Sequence, residues 1–358
     1  MHIAVVTRNM GAGGAERVIA QLLSEWSKTG IQCSLVSMHP AERFYQLPEG
    51  VCCYDVPRLA ENRNADKLKK YAHLRKLLKK LRPDVVLALP EEIGIYVVLA
   101  MLGTGIPVVV SERNNPWVMP DKKITRLLRR IAYPFAKGLI FQTKNAASFF
   151  PARQRKKGIV LPNPLDLSRL PSVYDGKREN VIVSAGRLTG QKNFPLLLEA
   201  FAQFHQNHPR YKLVIYGEGS QRRELETLAA EKLPAGSWEL PGRVDDLPVR
   251  ISRCAVFALS SDYEGVPNVL IEAMAVGTPA VSTDCAPGGA AELICHEENG
   301  LLVPVRDTEA LARALSFMID EPQRAAQMAE NALSIRQKLD AEKVAAQWLT
   351  YLEKLCKK

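Results

Sequence analysis

Two glutamates with seven residues between them, Glu264 and Glu272 in EGVPNVLIE, carry the sharpest chemical signal in this chain. Pro267 suits the first turn of a helix, so a helix is expected to begin there. Asn268 and Glu272 then share one face at i, i+4 spacing, with Glu264 in the loop just ahead. The unpaired N–H groups around 266–269 would form an anion site with a carboxylate on either side. Carboxylates accept from sugar hydroxyls, so one element could hold a phosphate while gripping two polyols. The same residues also fit a capped helix with Glu272 in solvent.

Two glycine-bearing turns could cooperate with it. In GRLTGQKNF (186–194), Arg187 leaves a strand end and Lys192 stands just ahead of a helix. Two fixed cations there would suit a diphosphate, or they are a pair of solvated surface charges. GAGGAE (11–16) has the same strand–turn–helix setting. It is not the dinucleotide fingerprint, because Glu16 replaces the third glycine, and no Gly-Lys-Ser/Thr follows to make a Walker A loop. Gly13 and Gly14 permit close backbone approach at a helix N-terminus, which favours a phosphate, or they form a plain tight turn. No two aspartates stand two apart, so there is no DxD metal clamp, and neither metal nor cofactor is expected.

The elements that must position these residues alternate strand and helix. HIAVVT (2–7), IQCSLVS (31–37), DVVLAL (84–89), IPVVVS (106–111), GLIFQT (138–143) and GIVLP (158–162) read as strands, with helices at 15–30 and 66–83. The segment 161–180 is rich in Pro, Asp and Asn and reads as a linker. The pattern then restarts with strands at 181–186, 211–217, 237–242, 254–260 and 278–283, helices near 193–208 and 220–232, and a helical end from about 307 to Lys358. Alternation of this kind predicts parallel sheets with helices on both faces. Two doubly wound units in series leave a cleft, with ligands at the carboxyl ends of the strands.

A length of 358 residues with 47% apolar and 24% charged residues suits a globular protein of two domains. The longest apolar runs, such as IGIYVVLAMLG (93–103), are too short to span a bilayer. HIAVVT reads as a strand rather than a secretion signal, so the expected compartment is the cytoplasm. The seven cysteines include no CxxC pair and are expected to pack as small hydrophobes. The net charge of +10 is uneven: residues 1–165 hold 26 Lys and Arg against 12 Asp and Glu, and the remainder 22 against 26. Only the first half is therefore expected to meet an anionic partner.

Taken together, these motifs identify a family. GGAER, VLPNPLD, SAGRLTGQKNF, YGEGSQRRELE, LPGRVDD, SDYEGVPNVLIEAMAVGTPAVSTD and ENGLLVP span nearly the whole length, and with them the chain resembles the family-4 retaining glycosyltransferases. The resemblance implies the α/β GT-B fold, two Rossmann-like doubly wound domains facing across a cleft. Residues 1–165 would form the acceptor-binding domain, 166–340 the nucleotide-sugar-binding domain, and 341–358 a helix packing back on the first. Glu264, Arg187 and Lys192 would be catalytic, Glu264 on the donor hexose and the two cations on its diphosphate. Glu272 would hold the ribose, and Gly14 would approach the same phosphates. Gly217, Arg243 and Val244 would lie near the base, and Gly265, Val266, Pro267, Asn268 and Val269 would line the sugar and phosphate. Glu292, in GGAAEL, would border the site.

Many relatives carry a histidine after the strand corresponding to IPVVVS, where this chain has Arg113 in SERNNP. An arginine stays cationic and cannot serve as a base near neutral pH. SERNNP with GGAER most resembles the subgroup that moves N-acetylhexosamines or hexoses onto polyprenyl-diphosphate-linked glycans or lipopolysaccharide. The implied reaction takes a sugar, N-acetylgalactosamine foremost, from a UDP-sugar to a lipid-linked glycan with retention. Lipopolysaccharide-core transfer and a same-fold sugar-nucleotide epimerase are the alternatives. Acceptor-side candidates are Glu16, Arg113, Asn114, Lys69 and Lys76. The helix 66–83 is expected to set Leu68, Tyr71, Ala72, Leu78 and Leu81 on one stripe, with six lysines off it. A second basic helix, 122–138, and RQRKK (153–157) follow. Their cations are either solvated or drawn to an acceptor diphosphate or to anionic lipid, the latter on the cytoplasmic face of the inner membrane. Nucleic acid is not expected, because the basic half lacks stacking aromatics.

Overall fold

The computed structural model describes residues 1–356, so the last two positions of the expected terminal helix, Lys357 and Lys358, lie outside the described residues. The chain divides into two compact units, Met1–Pro164 with the segment from Ala341 on, and Leu165–Asp340.

The first unit is a seven-stranded sheet in the order β3-β2-β1-β4-β5-β6-β7. Its strands are β1 (His2–Thr7), β2 (Gln32–Ser37), β3 (Cys52–Asp55), β4 (Val85–Ala88), β5 (Val108–Ser111), β6 (Gly138–Phe141) and β7 (Gly158–Val160). All neighbours run parallel. Central strands such as VVLA and VVVS are buried throughout, the pattern of a sheet covered on both faces. β3 was not legible in the sequence, because CCYD is a half-exposed edge strand without an apolar run. The run 93–103 is a helix, α3 (Glu91–Met101), and no described helix is long and apolar enough to cross a membrane.

One face of this sheet carries α1 (Gly14–Lys28) and the terminal helix Ala341–Cys356. Val18, Ile19, Leu22, Leu23 and Trp26 of α1 pack as the period predicts, against Val344, Trp348 and Leu352. Trp26 Nε1 donates to Ala345 O at 3.0 Å, Trp348 Nε1 to Pro162 O at 3.2 Å, and Tyr351 Oη to Lys157 O at 2.6 Å.

The other face carries α2 (Arg63–Leu81), α3 and α4 (Lys123–Ala132), and here two expectations need correction. On α2 the inward residues are Lys70, Leu74 and Leu78, whereas Leu68 is 75% exposed and Ala72 is also in solvent. The stripe is rotated because the amphipathic lysine can be buried: Lys70 pairs with Asp66 at 3.3 Å, and its stem packs inward. On α4 a cation is turned inward and apolar residues outward: Thr125, Arg129 and Ala132 are buried with Leu128 packed beside them, while Ile124, Leu127 and Ile131 face solvent.

The second unit is a six-stranded parallel sheet in the order β10-β9-β8-β11-β12-β13. Its strands are β8 (Glu179–Ala185), β9 (Lys212–Tyr216), β10 (Trp238–Gly242), β11 (Cys254–Leu259), β12 (Ala280–Thr283) and β13 (Leu301–Val303). β8 begins inside the segment read as linker, and three-residue β13 carries too short a signal to read. The cysteines are only partly the small hydrophobes expected: Cys33, Cys254 and Cys285 are buried, but Cys52 and Cys295 are exposed. In each sheet the strand order reverses once, between β1 and β4 and between β8 and β11. Those reversals open crevices at the carboxyl ends of the strands.

Candidate functional site

The reversal in the second unit brings together two motifs separated by about seventy residues. The loop leaving β8 carries Gly186–Asn193, and the loop leaving β11 carries Ser260–Pro267. Asp262 N donates to Gln191 O at 2.9 Å, Ser260 Oγ to Lys192 O at 2.9 Å, and Asn193 Nδ2 to Asp262 Oδ1 at 2.8 Å. Asn193 itself adopts the left-handed conformation, φ 44°, that Asn tolerates, and caps the next helix, Phe194–Asn207.

On this frame Lys192 Nζ donates to Glu264 Oε1 at 2.6 Å, with both side chains close to nine-tenths buried. Ser261 Oγ donates to the same carboxylate oxygen at 2.8 Å, and Gln191 Nε2 to Glu264 Oε2 at 3.3 Å. The lysine is therefore paired with the carboxylate and is not the solvated surface cation that the sequence also allowed. An ammonium has three protons, so it can hold Glu264 and still donate to a phosphate. Arg187 leaves the end of β8 exposed.

The helix after Glu264 spans Asn268–Ala275, one residue later than expected. Pro267 has ψ 108°, which is extended, so it caps the helix, and its carbonyl accepts from Leu270 N and Ile271 N. Glu272 is 7% exposed, which rules out the solvated-face reading. Gly265 and Pro267 are buried, and Val266, Asn268 and Val269 half-buried. The loop is backed by Gly289, where a Cβ would lie 1.5 Å from Gly265 O, so no other side chain fits there. Sequence reasoning missed this glycine, along with Ser261 and Gln191. Both polar residues sit inside motifs already noticed, but nothing in their spacing marks them as partners of Glu264.

The neighbouring strand ends hold the base-side candidates. Gly217 has φ 137°, and a Cβ on it would lie 1.9 Å from Gly186 O. Its N–H donates to Gly242 O at 2.8 Å, so the ends of β8, β9 and β10 meet backbone to backbone. Arg243 is exposed and Val244 half-buried beside them, and Glu292 is exposed.

The first unit offers a second polar centre. Arg113 follows β5, and its backbone N–H donates to Glu91 Oε2 at 3.2 Å. Its Nη2 donates to Asn163 Oδ1 at 2.6 Å, and Gln142 Nε2 reaches the same oxygen at 3.0 Å. Arg113 Nε and Nη1 are buried without a hydrogen-bond partner. Burial pulls this guanidinium down to about 10, so it remains cationic near neutral pH. Beneath it, burial pushes the Glu112 carboxyl up to about 8, opposed by Arg129 at 3.6 Å, and Tyr133 Oη donates to it. Asn114 is half-buried and accepts from Asn115 N at 2.8 Å, while Lys69 and Lys76 are exposed on α2. At the start of α1, the Glu16 carboxylate folds over Gly13, where a Cβ would lie 2.0 Å from its Oε2. Gly14, the first residue of that helix, is exposed.

Comparison with known proteins covers almost the whole chain. The family model for glycosyltransferase family 4 matches residues 12–169, and that for glycosyl transferases group 1 matches 173–334. A Campylobacter jejuni N-acetylgalactosamine-N,N'-diacetylbacillosaminyl-diphospho-undecaprenol 4-alpha-N-acetylgalactosaminyltransferase is 30% identical over 98% of this chain and 99% of its own. A second alpha-1,4-N-acetyl-D-galactosaminyltransferase from that organism, named for a diNAcBac-PP-undecaprenol glycan, is 29% identical over 98% of this chain and 97% of its own. The crystal structure of an Anabaena protein, HepE, with UDP and glucose superposes with a TM-score of 0.83 at 18% identity, covering 99% of this chain and 100% of that one. Sucrose-phosphate synthase from Thermosynechococcus elongatus superposes with a TM-score of 0.86 at 20% identity over 99% of both chains. At those identities the likeness to the solved structures shows the shared GT-B fold.

Proposed function

This chain belongs to the glycosyltransferases, with a family 4 region followed by a group 1 region, and from that premise we propose that it moves an N-acetylhexosamine from a UDP-sugar to a polyprenyl-diphosphate-linked glycan with retention of configuration. N-acetylgalactosamine is the foremost sugar, on the strength of the two Campylobacter relatives. The observation that carries the donor reading is the Lys192–Glu264 pair at the strand reversal, with the N-terminal turn of Asn268–Ala275 beside it and Glu272 buried behind. Cations beside a helix N-terminus suit a leaving diphosphate, and buried carboxylates suit sugar hydroxyls.

In this mechanism the leaving diphosphate develops negative charge as the glycosidic bond breaks. Lys192, Arg187 and the helix N-terminus stabilise that charge without a metal ion. Glu264 fixes the hexose, and its pairing with Lys192 holds the carboxylate in place for that task. The acceptor hydroxyl attacks the face that the diphosphate leaves, and a donor phosphate oxygen takes its proton. The acceptor belongs to the basic first half, where the unpartnered Arg113 N–H groups can meet an oxyanion or a hydroxyl. With a carrier lipid as acceptor, the enzyme works peripherally on the cytoplasmic face of the inner membrane.

A thermal-shift screen of UDP-GalNAc, UDP-GlcNAc and UDP-glucose against ADP- and GDP-sugars tests the donor. Stabilisation by UDP-sugars alone is expected. Equal stabilisation by all three bases refutes the UDP assignment, and rapid UDP release with no acceptor present favours the epimerase alternative.

A further inference from the structure

The helix α4 carries apolar side chains on both faces. Inward, Ala132 and Leu128 join the core beside polar groups: Arg129 Nη1 and Nη2 donate to Met119 O and Pro116 O at 2.9 and 2.8 Å, and Arg126 Nε donates to Pro120 O at 2.6 Å. These bonds hold the loop 116–120 against the helix and fix Trp117 and Val118, both exposed, beside it. The outward face is apolar. Ile124, Leu127 and Ile131 are 60%, 53% and 48% exposed, and Phe135 in the following turn is 62% exposed. Spacings of three and four residues put these side chains on one stripe, the arrangement normally turned towards a core. Neighbouring large exposed hydrophobics of this kind mark a surface that is covered in use.

The charges around the stripe indicate what covers it. Lys122, Lys123, Arg130 and Lys137 are exposed along its margins. α2, on the same face of the sheet, exposes Lys69, Lys76, Lys79 and Lys80. The one acid of α2, Asp66, is paired with Lys70, and α4 carries none, with Asp121 in the loop ahead of it. A basic field around an apolar ridge with an aromatic flank matches an anionic lipid interface, where ammonium groups meet phosphates and the ridge enters the acyl boundary.

We propose that the stripe Ile124–Leu127–Ile131–Phe135, flanked by Trp117 and ringed by lysines and arginines, inserts into the surface of an anionic bilayer. The proposal takes its purpose from the reading of a lipid-borne acceptor but not its evidence. It differs from simple charge attraction in one respect: part of the binding resists salt, because apolar burial is not screened as surface charge is.

The test is flotation of the full chain with vesicles of phosphatidylglycerol and phosphatidylcholine, or of phosphatidylcholine alone, at low and high salt. Lys123→Gln/Arg130→Gln should lose binding chiefly at low salt. Leu127→Gln/Ile131→Gln should lose the salt-resistant fraction, by roughly tenfold or more for each apolar side chain removed. Tryptophan emission should shift to the blue with anionic vesicles in the wild type and not in Trp117→Phe. The substituted positions are all exposed, and a cooperative melt at the wild-type Tm, read in parallel with the UDP response, shows that each variant is folded. Wild-type affinity in Leu127→Gln/Ile131→Gln overturns the proposal. So does a wild-type dimer in sedimentation that these substitutions abolish, because a second copy would then be the occupant. Vesicle binding without any UDP response sinks the donor reading and leaves this one standing.

Discussion

Replacing Lys192 with Met isolates the pair at the strand reversal. The change keeps most of the stem and removes the charge that sits 2.6 Å from Glu264 Oε1. Both side chains are close to nine-tenths buried, and stripping one partner from such a pair costs about 3–5 kcal/mol. Glu264 keeps the bonds from Ser261 Oγ at 2.8 Å and Gln191 Nε2 at 3.3 Å, which places the loss near the lower end, about 3 kcal/mol. In a unit of this size each kcal/mol moves Tm by roughly 2–4 °C, so the second unit should melt about 6–12 °C lower. Adding Glu264→Gln should restore part of the loss, because the stranded charge is gone while an amide can still accept from Ser261. Calorimetry on the wild type, both single variants and the double variant closes the cycle. Lys192→Met melting with the wild type, or additive losses in the double variant, would refute the reasoning that the two side chains form one buried unit.

Other outcomes follow from the same geometry. Glu264→Ala should lower turnover by about a hundredfold or more, the scale of losing a transition-state contact, as read by UDP release in the presence of acceptor. Gly289→Ala should weaken UDP binding at least about tenfold by titration, because its Cβ would displace the Gly265 carbonyl and with it the loop over the helix N-terminus. The Glu112 carboxyl stands at about 8 in the folded state, above its unfolded value, so the native state holds the extra proton. Stability is then fully present below the unfolded value and is lost as pH rises towards 8, so the first unit should melt lower at pH 8.5 than at 6.5, and Glu112→Gln should flatten that slope. Turnover should be unchanged by EDTA; a loss restored by a divalent cation would contradict charge stabilisation by Lys192 and Arg187 alone.

How much of this was legible in the sequence depends on whether a feature is local. Strands with continuous apolar runs, such as HIAVVT and CAVFAL, could be placed to within a residue or two. The paired glutamates were visible because a proline, a helix period and two acids coincide within a few residues. Lys192 meeting Glu264 was not visible, because their contact depends on strand order, and order is set by crossovers that no single window contains. The buried arginine and exposed apolar stripe of α4 were hidden for a different reason. Periodicity shows that two faces differ but not which one turns inward, and here the carbonyls of 116, 119 and 120 recruit the arginines. Lys70 misled the reading of α2 in the same way, since its charge counted as outward while its stem and the Asp66 partner allow it inward.

The terminal helix that returns to α1 has a consequence for engineering. The second unit is an insert within the first: the chain enters it at Leu165 and leaves it at Asp340. Those two ends are tied together, Leu165 N donating to Leu339 O at 2.7 Å and Leu165 bridging Asp340. An insert whose ends already touch can be exchanged as a cassette through two neighbouring cuts. Residues 165–340 are thus the part that can be transplanted as one piece. A fragment ending at residue 164 would leave the Trp26 indole without its Ala345 partner and bare one face of its sheet.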